Sequence, residues 1–575
     1  MTNHNRCLGV VGAAVAVLGC LAACEAEPEG FRTPVPTAGA AIESPQATTP
    51  SGGATPEGNG APSVPEQTAD GDSPGASPPT SSPDDPRIEP RIWRLTPDQL
   101  NRAVRDLFGD GAPAMDVPES AAEAGFTNIA ANAVVDLGNA SQFDSGVRAV
   151  GQWVTEQREA STRCRNYEGD TCIDELLAWL LPDAFRRPVE ASETADVRRL
   201  YSELKSTYDQ DYAIAGVVRA VLLSPEFLYR SELGDAGATL TPHEIANLLA
   251  FAMTDRGPDA ALLEAAARSN LADPDVREAQ ARRLIDQSGP AWQRFFWEWL
   301  ALETLHSQGT EVGLESALVD QMEEEYRAFV SNVVVAQKGT LRDLLSASYS
   351  WMRPELAAHY GVAHPGGGLA RVELDPNQRG GLLTQGAWLV SHGKAGHDNV
   401  VRRGMNLFKQ AMCNNKLAPP EGLDVNAALL SLVGPDATVR ETVEARSSAP
   451  SCGGCHMAAD RMGVIFENYG SDGRWQSTYA DGHPVESAIS LSGLGDFERA
   501  PEFAAALADD KAFQHCFVRR VVHYLMGIDM GSPRSAAWVK QAHQAFVEAD
   551  TSLEALLIAI VRHPAFVERV PEESP

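Results

Sequence analysis

Apolar residues recur every three or four positions over most of the chain beyond Arg91, which is the spacing of one face of an α-helix. Two helix starts carry the same local device, at Thr96 to Gln99 and at Thr241 to Glu244. Each has a threonine N-cap, a proline in the first turn and a glutamine or glutamate that completes a capping box. The alternation typical of strands is scarce, with short pieces such as Ala370 to Leu374. The pattern therefore predicts a mostly α fold.

Two longer periodic stretches predict helices with clear ends. The stretch from Leu314 to Lys338 is amphipathic and stops at Gly339. Near the C-terminus, an apolar face runs from Phe513 to Leu525, and Gly527 follows it. A glycine just past the last turn is a common helix stop, so both stretches support the helical interpretation.

Changes in composition divide the chain into segments, as expected for 575 residues, which exceed what one hydrophobic core supports. The stretch after the first 24 residues is rich in Pro, Ser, Thr and Gly. It has too few large apolar groups to offset the entropy cost of ordering, so we expect it to be disordered. The predicted segments are a signal peptide at 1–24, a disordered linker at 25–88, helical domains at 91–155, 160–235 and 238–365, a domain with a cysteine motif at 376–475, and a C-terminal helical domain at 482–567.

The charge balance narrows the classes of partner. The formal net charge is −31, from 78 acidic and 47 basic residues. Such an excess of negative charge argues against nucleic acid and against anionic lipid as general partners. After residue 30 no apolar run reaches the roughly 18 residues that a membrane-spanning helix needs.

The N-terminus predicts export and attachment to a membrane by lipid. A weakly basic start precedes a short apolar run from Leu8 to Leu18, as in a signal peptide. The sequence Leu-Ala-Ala-Cys then ends at Cys24 and resembles the lipobox of bacterial lipoproteins, in which the cysteine thiol is acylated. We expect a lipid anchor at Cys24 and a location in the cell envelope, at the outer membrane or the periplasmic face. A plain secretory signal cleaved near Ala23 is the alternative, and Cys20 is a weaker lipidation candidate.

The sharpest chemical signal is Cys-Gly-Gly-Cys-His at residues 452–456, the spacing used for covalent attachment of c-type haem. The thiols of Cys452 and Cys455 would form thioethers with the porphyrin vinyl groups. His456 would then be the proximal ligand of the iron. We therefore expect one covalent haem c in the C-terminal part of this helical protein.

The second axial ligand is not evident from the sequence. Met462, Met526, Met530 and His523 are candidates, and a five-coordinate iron is equally open. A Met or His ligand favours electron transfer, whereas an open position favours chemistry on oxygen or peroxide.

Other chemistry could also use the two motif cysteines. They could form a disulfide, although no thioredoxin-like βαβ pattern surrounds them. They could instead bind zinc together with His515 and Cys516.

The cysteine count fits an oxidising compartment. Two of the nine cysteines lie in the signal peptide, one is the lipidation candidate and two belong to the motif. The remaining four are Cys164, Cys172, Cys413 and Cys516. An even remainder fits two disulfides, for which three connectivities exist. Closeness in sequence favours Cys164 with Cys172, which leaves Cys413 with Cys516.

A few other residues invite a functional interpretation but have simpler ones. His392 and His397 flank a loop-like stretch that could bind metal, but we expect them to be exposed to solvent. Trp297 and Trp299 are expected to pack in a core, although aromatic rings can also stack on sugars. Arg186 is expected to make structural hydrogen bonds to carboxylates or carbonyls.

These motifs, taken together, resemble a known family, the secreted cytochrome-like proteins of planctomycete type that also occur in myxobacteria. The family carries consecutive domains of unknown function 1587, 1595, 1592, 1588 and 1585. The matching motifs, in order along the chain, are Arg94–Thr96, Asn101, Val104–Leu107, Ala184–Pro188, Ser224–Arg230, Pro258–Asp259, Leu262–Leu263, Trp299–Leu300, His359–Gly361, Gly381–Gln385, Arg403–Gly404, Cys413, Cys452–His456, Phe466–Tyr469, Gly473–Arg474 and Cys516. The resemblance implies a secreted, cytochrome-like role without an established activity.

The chain departs from the family pattern at two places. The family has Asp-Pro-Ile-Gly after the haem motif, where this chain has Asp460 to Gly463 with Arg and Met between them. The late helix of the family ends in Gly-Arg, where this chain has Gly527 and Ile528. The first departure leaves Met462 near the motif as a candidate ligand.

Three functions follow as hypotheses. The first is a monohaem protein that passes electrons in the cell envelope to an unknown redox partner. The second is a surface protein that binds polysaccharide or another polymer and uses the cysteine motif as a structural clip. The third is a haem-dependent oxidative enzyme that acts on a polymer, so the sequence leaves open whether the chain is an enzyme.

Overall fold

The computed structural model describes residues 85–132, 137–235, 238–394, 399–411, 413, 439–449, 453–479, 482–528 and 531–570. These ranges are mostly helical, as the sequence predicts. The signal peptide, Cys24 and the linker up to residue 84 lie outside the described residues.

The helices of the N-terminal half belong to the first two predicted domains and to the start of the third. They are α1 (Pro97–Phe108), α2 (Leu137–Gln157), α3 (Glu159–Thr162), α4 (Cys172–Phe185), α5 (Ala191–Thr207), α6 (Gln210–Leu222), α7 (Pro225–Leu228), α8 (Pro242–Thr254), α9 (Ala260–Arg268), α10 (Pro274–Ile285) and α11 (Gly289–Trp299).

The helices of the C-terminal half include the one that carries the haem motif. They are α12 (Leu305–Glu311), α13 (Ser316–Ser331), α14 (Leu341–Ser346), α15 (Pro354–Tyr360), α16 (Gly386–Ser391), α17 (Val400–Ala411), α18 (Val439–Ser448), α19 (Gly453–Val464), α20 (Ala500–Asp509), α21 (Lys511–Met526), α22 (Pro533–Glu548) and α23 (Leu553–Arg562). A π-helical turn at Asn332–Ala336 extends α13, and short 3₁₀ turns lie at Ala130–Asn132, Leu382–Thr384 and Pro564–Phe566.

The strands of the described ranges pair into two-stranded antiparallel sheets. They are β1 (Arg91–Arg94) with β2 (Tyr229–Glu232), β3 (Tyr349–Met352) with β4 (Ala370–Glu373), and β5 (Ile489–Leu491) with β6 (Gly495–Phe497). Only β4 coincides with a strand that the alternation predicts. The others are too short to show a periodic pattern.

The predicted helix boundaries are confirmed where local chemistry sets them. Thr96 and Thr241 both cap their helices in complete capping boxes, with Gln99 and Glu244 as the returning side chains. Gly527 ends α21 with a left-handed φ of 55°. Side-chain capping and a glycine stop depend on residues a few positions apart, so the sequence alone reveals them.

In the part of the chain that the structure describes, buried apolar residues form two hydrophobic cores, and five predicted segments contribute to them. Residues from Leu95 to Leu228 form one core, shared by the first and second segments and joined by Phe251. The other core is built mainly from residues between Leu240 and Val567 and is shared by the last three segments. The helix that carries the haem motif therefore packs in a core that reaches the C-terminal helices.

A buried carboxylate ties the first strand to the end of the chain. Glu232 is fully buried and accepts hydrogen bonds from Arg91 over 2.9 Å and from Arg569 over 2.6 Å. These cations outweigh the effect of burial and lower the pKa of Glu232 to about 2. An ionised buried carboxylate needs such partners, so the strand, Glu232 and the C-terminal segment depend on one another.

The last residues of the linker predicted at 25–88 contact the C-terminal part of the chain. Ile88 is 6% exposed, and its carbonyl accepts a hydrogen bond from the amide of Val570 over 2.9 Å. The carbonyl of Pro86 accepts from the indole of Trp538 over 3.0 Å. Ile88 is a large apolar residue at the end of a polar stretch, and its burial anchors this segment to the C-terminal core.

The predicted roles of two tryptophans and one arginine can be compared with their burial and contacts. Trp299 is 1% exposed and packs against Phe517, so its predicted core role is confirmed, and Trp297 packs partly buried beside the same core. Arg186 donates to the carbonyls of Glu226 and Tyr229 over 2.8 Å each, as expected for a structural arginine. None of the helices in the described ranges has both the length and the apolar character needed to cross a membrane.

Candidate haem-attachment site

The second half of the haem motif lies in the first turn of α19. Cys455 and His456 are in this helix, while Cys452 lies just outside the described residues. Helix α19 packs lengthwise against α17, with Gly463 beside Val400 and Ala459 beside Gly404. The two helices are therefore antiparallel, and the motif end of α19 lies toward the C-terminal end of α17.

Two glycines allow α17 and α19 to come into backbone contact. A Cβ atom placed on Gly404 would lie 2.0 Å from the carbonyl oxygen of Ala459. A Cβ on Gly463 would lie 2.0 Å from the carbonyl oxygen of Val400. Both distances are far below a van der Waals contact, so any side chain would push the helices apart. Glycine at these positions sets the depth at which the motif helix packs.

Replacing Gly404 with alanine is expected to destabilise the C-terminal core by about 3 kcal/mol, because helix α19 must shift away from α17. Chemical denaturation followed by circular dichroism measures the change. Gly368→Ala is the matched control, since a Cβ there meets only the end of Arg353 at 3.8 Å. Equal stability of the two variants would show that the close crossing does not limit packing.

Arg403 holds the segment that follows α19. Its side chain is fully buried, and its guanidinium donates to the carbonyls of Phe466, Tyr469, Gly470 and Leu389 over 2.6–3.1 Å. Burial lowers the pKa of Arg403 to about 10, so the group stays charged at neutral pH. The guanidinium thus donates hydrogen bonds to carbonyl groups that accept none from a helix or a strand, where water would otherwise have to donate them.

His456 is held by a carboxylate one turn further along the same helix. Its Nδ1 lies 2.9 Å from Oδ1 of Asp460, and the imidazole side chain is 23% exposed. Asp460 is completely buried, and its second oxygen accepts a hydrogen bond from Nε of Arg446 on α18. Residues four apart on a helix face each other, so α19 itself positions the carboxylate against the imidazole.

This geometry fits the requirements of a proximal haem ligand. With Nδ1 directed at Asp460, the lone pair of Nε2 remains for a metal, which is the usual arrangement of metal-binding histidines. The side chain of Arg446 is 6% exposed, and its Nη2 is buried without a hydrogen-bond partner among the described residues. A buried, unpaired guanidinium nitrogen beside the motif fits an acidic group there, such as a haem propionate.

The disulfides of the structure join the pairs that the sequence favours. Cys164 is bonded to Cys172, and Cys413 is bonded to Cys516. The second bond links the end of α17 to α21, close to the motif end of α19. Because Cys516 is in this disulfide, it is not a thiolate that could complete a zinc site with Cys452 and Cys455.

The candidates for a second axial ligand occupy different places. Met462 is 5% exposed and belongs to the core, about 120° round α19 from His456. Met526 is fully buried in the same core. His523 has Nδ1 2.7 Å from the carbonyl of Ile528 and Nε2 3.4 Å from that of Glu123, so both ring nitrogens already face oxygen. The fourth candidate, Met530, lies outside the described residues.

His392 is buried, which corrects the expectation that it is exposed. Its Nε2 lies 2.9 Å from the carbonyl of Leu300, and its ring packs against Trp388. Burial lowers the pKa of His392 to about 4, so the ring is neutral at physiological pH. His392 therefore has a structural role, because it joins the end of α16 to the end of α11. His397 lies outside the described residues.

Sequence reasoning found the motif but missed the residues that support it. Asp460 could have been found, because a carboxylate four residues after a ligand histidine shares its helical face. Arg446 and Gly404 contact the motif helix from other helices. Gly404 belongs to one of the motifs that resemble the family, but the spacing of residues along the chain does not indicate what either residue does.

Models of known protein families match most of the described chain. The models PSD3, PSD5, PSD4 and PSCyt3 are each described as a protein of unknown function. They match residues 93–156 (DUF1587), 172–232 (DUF1595), 240–362 (DUF1592) and 379–479 (DUF1588), respectively. The last match contains the haem motif.

The fifth domain that the resemblance implies, over 482–567, stays a prediction.

Searches of curated proteins and of solved structures found no match. The four family matches occur in the same order as the motifs quoted above. The chain therefore carries four planctomycete cytochrome-like domains, in the order DUF1587, DUF1595, DUF1592 and DUF1588.

Proposed function

We propose that this protein is an exported, lipid-anchored, monohaem c-type cytochrome that transfers electrons in the cell envelope. The observation that supports this most is the contact between Nδ1 of His456 and buried Asp460, on the helix that also carries Cys455. Such a contact prepares a histidine to bind a metal through its other nitrogen. The cytochrome-like family and the two disulfides suit a protein that works outside the cytoplasm.

In this proposal the motif residues have separate tasks. Cys452 and Cys455 would hold the haem by thioether bonds, and His456 would supply an axial nitrogen. Haem bound in this way supplies one-electron chemistry. The close packing of α19 against α17 would keep the attachment helix rigid, which limits reorganisation when the charge at the site changes.

The proposal predicts a clear order of haem retention among variants. The double change of Cys452 and Cys455 to alanine should abolish covalent haem, and each single change should weaken retention. His456→Ala should impair attachment and remove the proximal ligand. His515→Ala is the matched control, since it removes a histidine of the zinc alternative and leaves the motif intact.

Haem staining of a denaturing gel, with elemental analysis, measures these outcomes. Expression must be in a host that attaches c-type haem. A zinc clip would show stoichiometric zinc without a Soret band, and a disulfide clip would show a reducible bond between the two thiols. Either result would reject the cytochrome proposal and favour the polymer-binding alternative.

The lipid anchor gives an independent prediction. Acylation at Cys24 requires its thiol, so Cys24→Ala should release the protein from membranes or block its processing. Cys20→Ala is the matched control, because it removes the neighbouring thiol and should leave the protein anchored. Membrane fractionation with labelling of acylated cysteine measures both. A correctly processed Cys24→Ala protein that still fractionates with membranes would contradict the anchor.

A further inference from the structure

We propose that Asp460 and Arg446 are positioning residues that act in opposite directions on the electron-donating strength of His456. This inference rests on the proposed haem function and extends it to the control of the reduction potential. It concerns groups on two helices, α18 and α19, that meet behind the motif.

The first step is the choice of tautomer. Asp460 has no exposed surface, and its Oδ1 lies 2.9 Å from Nδ1 of His456. A carboxylate is only an acceptor, so the proton of the neutral imidazole must be on Nδ1. The lone pair of Nε2 is then directed away from Asp460, toward the position where a metal would bind.

The second step is the effect of charge. A carboxylate that accepts the Nδ1 proton makes the imidazole a stronger donor, and a stronger axial donor favours the oxidised iron. Because Asp460 is out of contact with water, solvent does not weaken this effect. Asp460 is therefore expected to lower the reduction potential of the site.

The third step is the opposing role of Arg446. Its guanidinium binds the other oxygen of Asp460 and is itself nearly excluded from solvent, with 6% of the side chain exposed. A cation at this distance withdraws charge from the carboxylate and makes it a weaker acceptor for His456. Arg446 is therefore expected to raise the reduction potential relative to a site with Asp460 alone.

A purely structural ion pair is the competing explanation. Arg446 and Asp460 join α18 to α19, and a buried pair of this kind affects stability when one partner is removed. A structural role predicts lower stability in both variants but no opposite changes at the haem iron. The two explanations therefore differ in the sign of a measurable potential.

The test compares Asp460→Asn and Arg446→Gln in the full-length, haem-loaded protein. Potentiometric titration measures the midpoint potential, and resonance Raman spectroscopy measures the iron–histidine stretch in the reduced five-coordinate form or its photolysed carbon monoxide adduct. Asp460→Asn should raise the potential and lower the stretching frequency. Arg446→Gln should lower the potential and raise the frequency.

Matched controls remove the same charges at exposed positions of the same two helices. Glu444→Gln on α18 and Arg461→Gln on α19 should leave the potential and the stretch nearly unchanged, because water screens both groups. If Arg446→Gln does not fold, Arg446→Lys replaces it. Because lysine retains the positive charge, that variant should keep the wild-type midpoint potential and the wild-type stretching frequency.

Shifts of the same sign in Asp460→Asn and Arg446→Gln, or no shift in folded variants, would overturn the inference. If the wild-type protein carries no covalent haem, the proposed function fails, and the positioning claim is decided by ¹⁵N NMR of the His456 ring. In Asp460→Asn, the side-chain oxygen can still accept from Arg446, but the NH₂ group then faces Nδ1 of His456. Because NH₂ donates a hydrogen bond, it favours the tautomer with the proton on Nε2. A wild-type ring protonated on Nδ1, with a change of tautomer in Asp460→Asn, would support the claim, and an unchanged tautomer would reject it.

Discussion

Removal of the Cys413–Cys516 disulfide is expected to lower the free energy of unfolding by about 4 to 5 kcal/mol. The bond joins cysteines 103 residues apart, and the loss of loop-closure entropy in the unfolded chain grows with the length of the closed loop. The loop contains α18 and the motif helix α19, so the folded state of both depends on it. Denaturant unfolding of a Cys413→Ser, Cys516→Ser protein measures the effect.

The other disulfide is the matched control. Cys164 and Cys172 are only 8 residues apart, so their replacement by serine should cost about 2.5 kcal/mol on the same reasoning. Equal losses of stability in the two proteins would contradict this dependence on loop length.

Replacement of Arg403 by methionine should destabilise the protein by about 4 kcal/mol. Methionine fills a similar volume, but it removes the hydrogen bonds to four carbonyl groups. The carbonyls of Phe466 and Gly470 keep a backbone amide donor, whereas those of Leu389 and Tyr469 lose the guanidinium in a buried environment, which carries a desolvation cost. Arg403→Lys should recover little of the loss, because one ammonium group cannot span carbonyls that a guanidinium reaches in a plane.

Arg402→Met separates this effect from a general loss of charge on α17. Arg402 is exposed and donates to the carbonyl of Gly393 over 2.7 Å. Its replacement should cost less than about 1 kcal/mol, as for most surface substitutions. Thermal or urea unfolding measures both variants. A similar loss in Arg402→Met and Arg403→Met would show that the buried contacts of Arg403 are not the cause.

The parts of the fold that could be predicted from sequence are those set by neighbouring residues. Capping by Thr96 and Thr241, and the stop at Gly527, depend on chemistry within one or two turns. The pairing of β1 with β2 could not be predicted, because it joins residues about 140 positions apart through strands of four residues. Burial of Ile88 was missed for the same reason, since its partners are at the other end of the chain.

The candidate site divides in the same way. The haem motif is contiguous, and Asp460 is one helical turn from His456, so both are accessible to sequence reasoning. Arg446 and Arg403 act across helix contacts, and His392 became buried because α11 and α16 meet there. Such contacts depend on the tertiary packing of helices, which apolar periodicity does not specify.

The most direct test of the central claim is the composition of the wild-type chain after complete unfolding. The protein should be made in a host that attaches c-type haem, then denatured, extracted with acidic solvent and analysed by intact mass and by its pyridine haemochrome spectrum. The cytochrome proposal predicts a chain heavier by one haem, with the spectrum of a haem bound through two thioethers. A chain of unmodified mass, or a haem that leaves with the solvent, would contradict it.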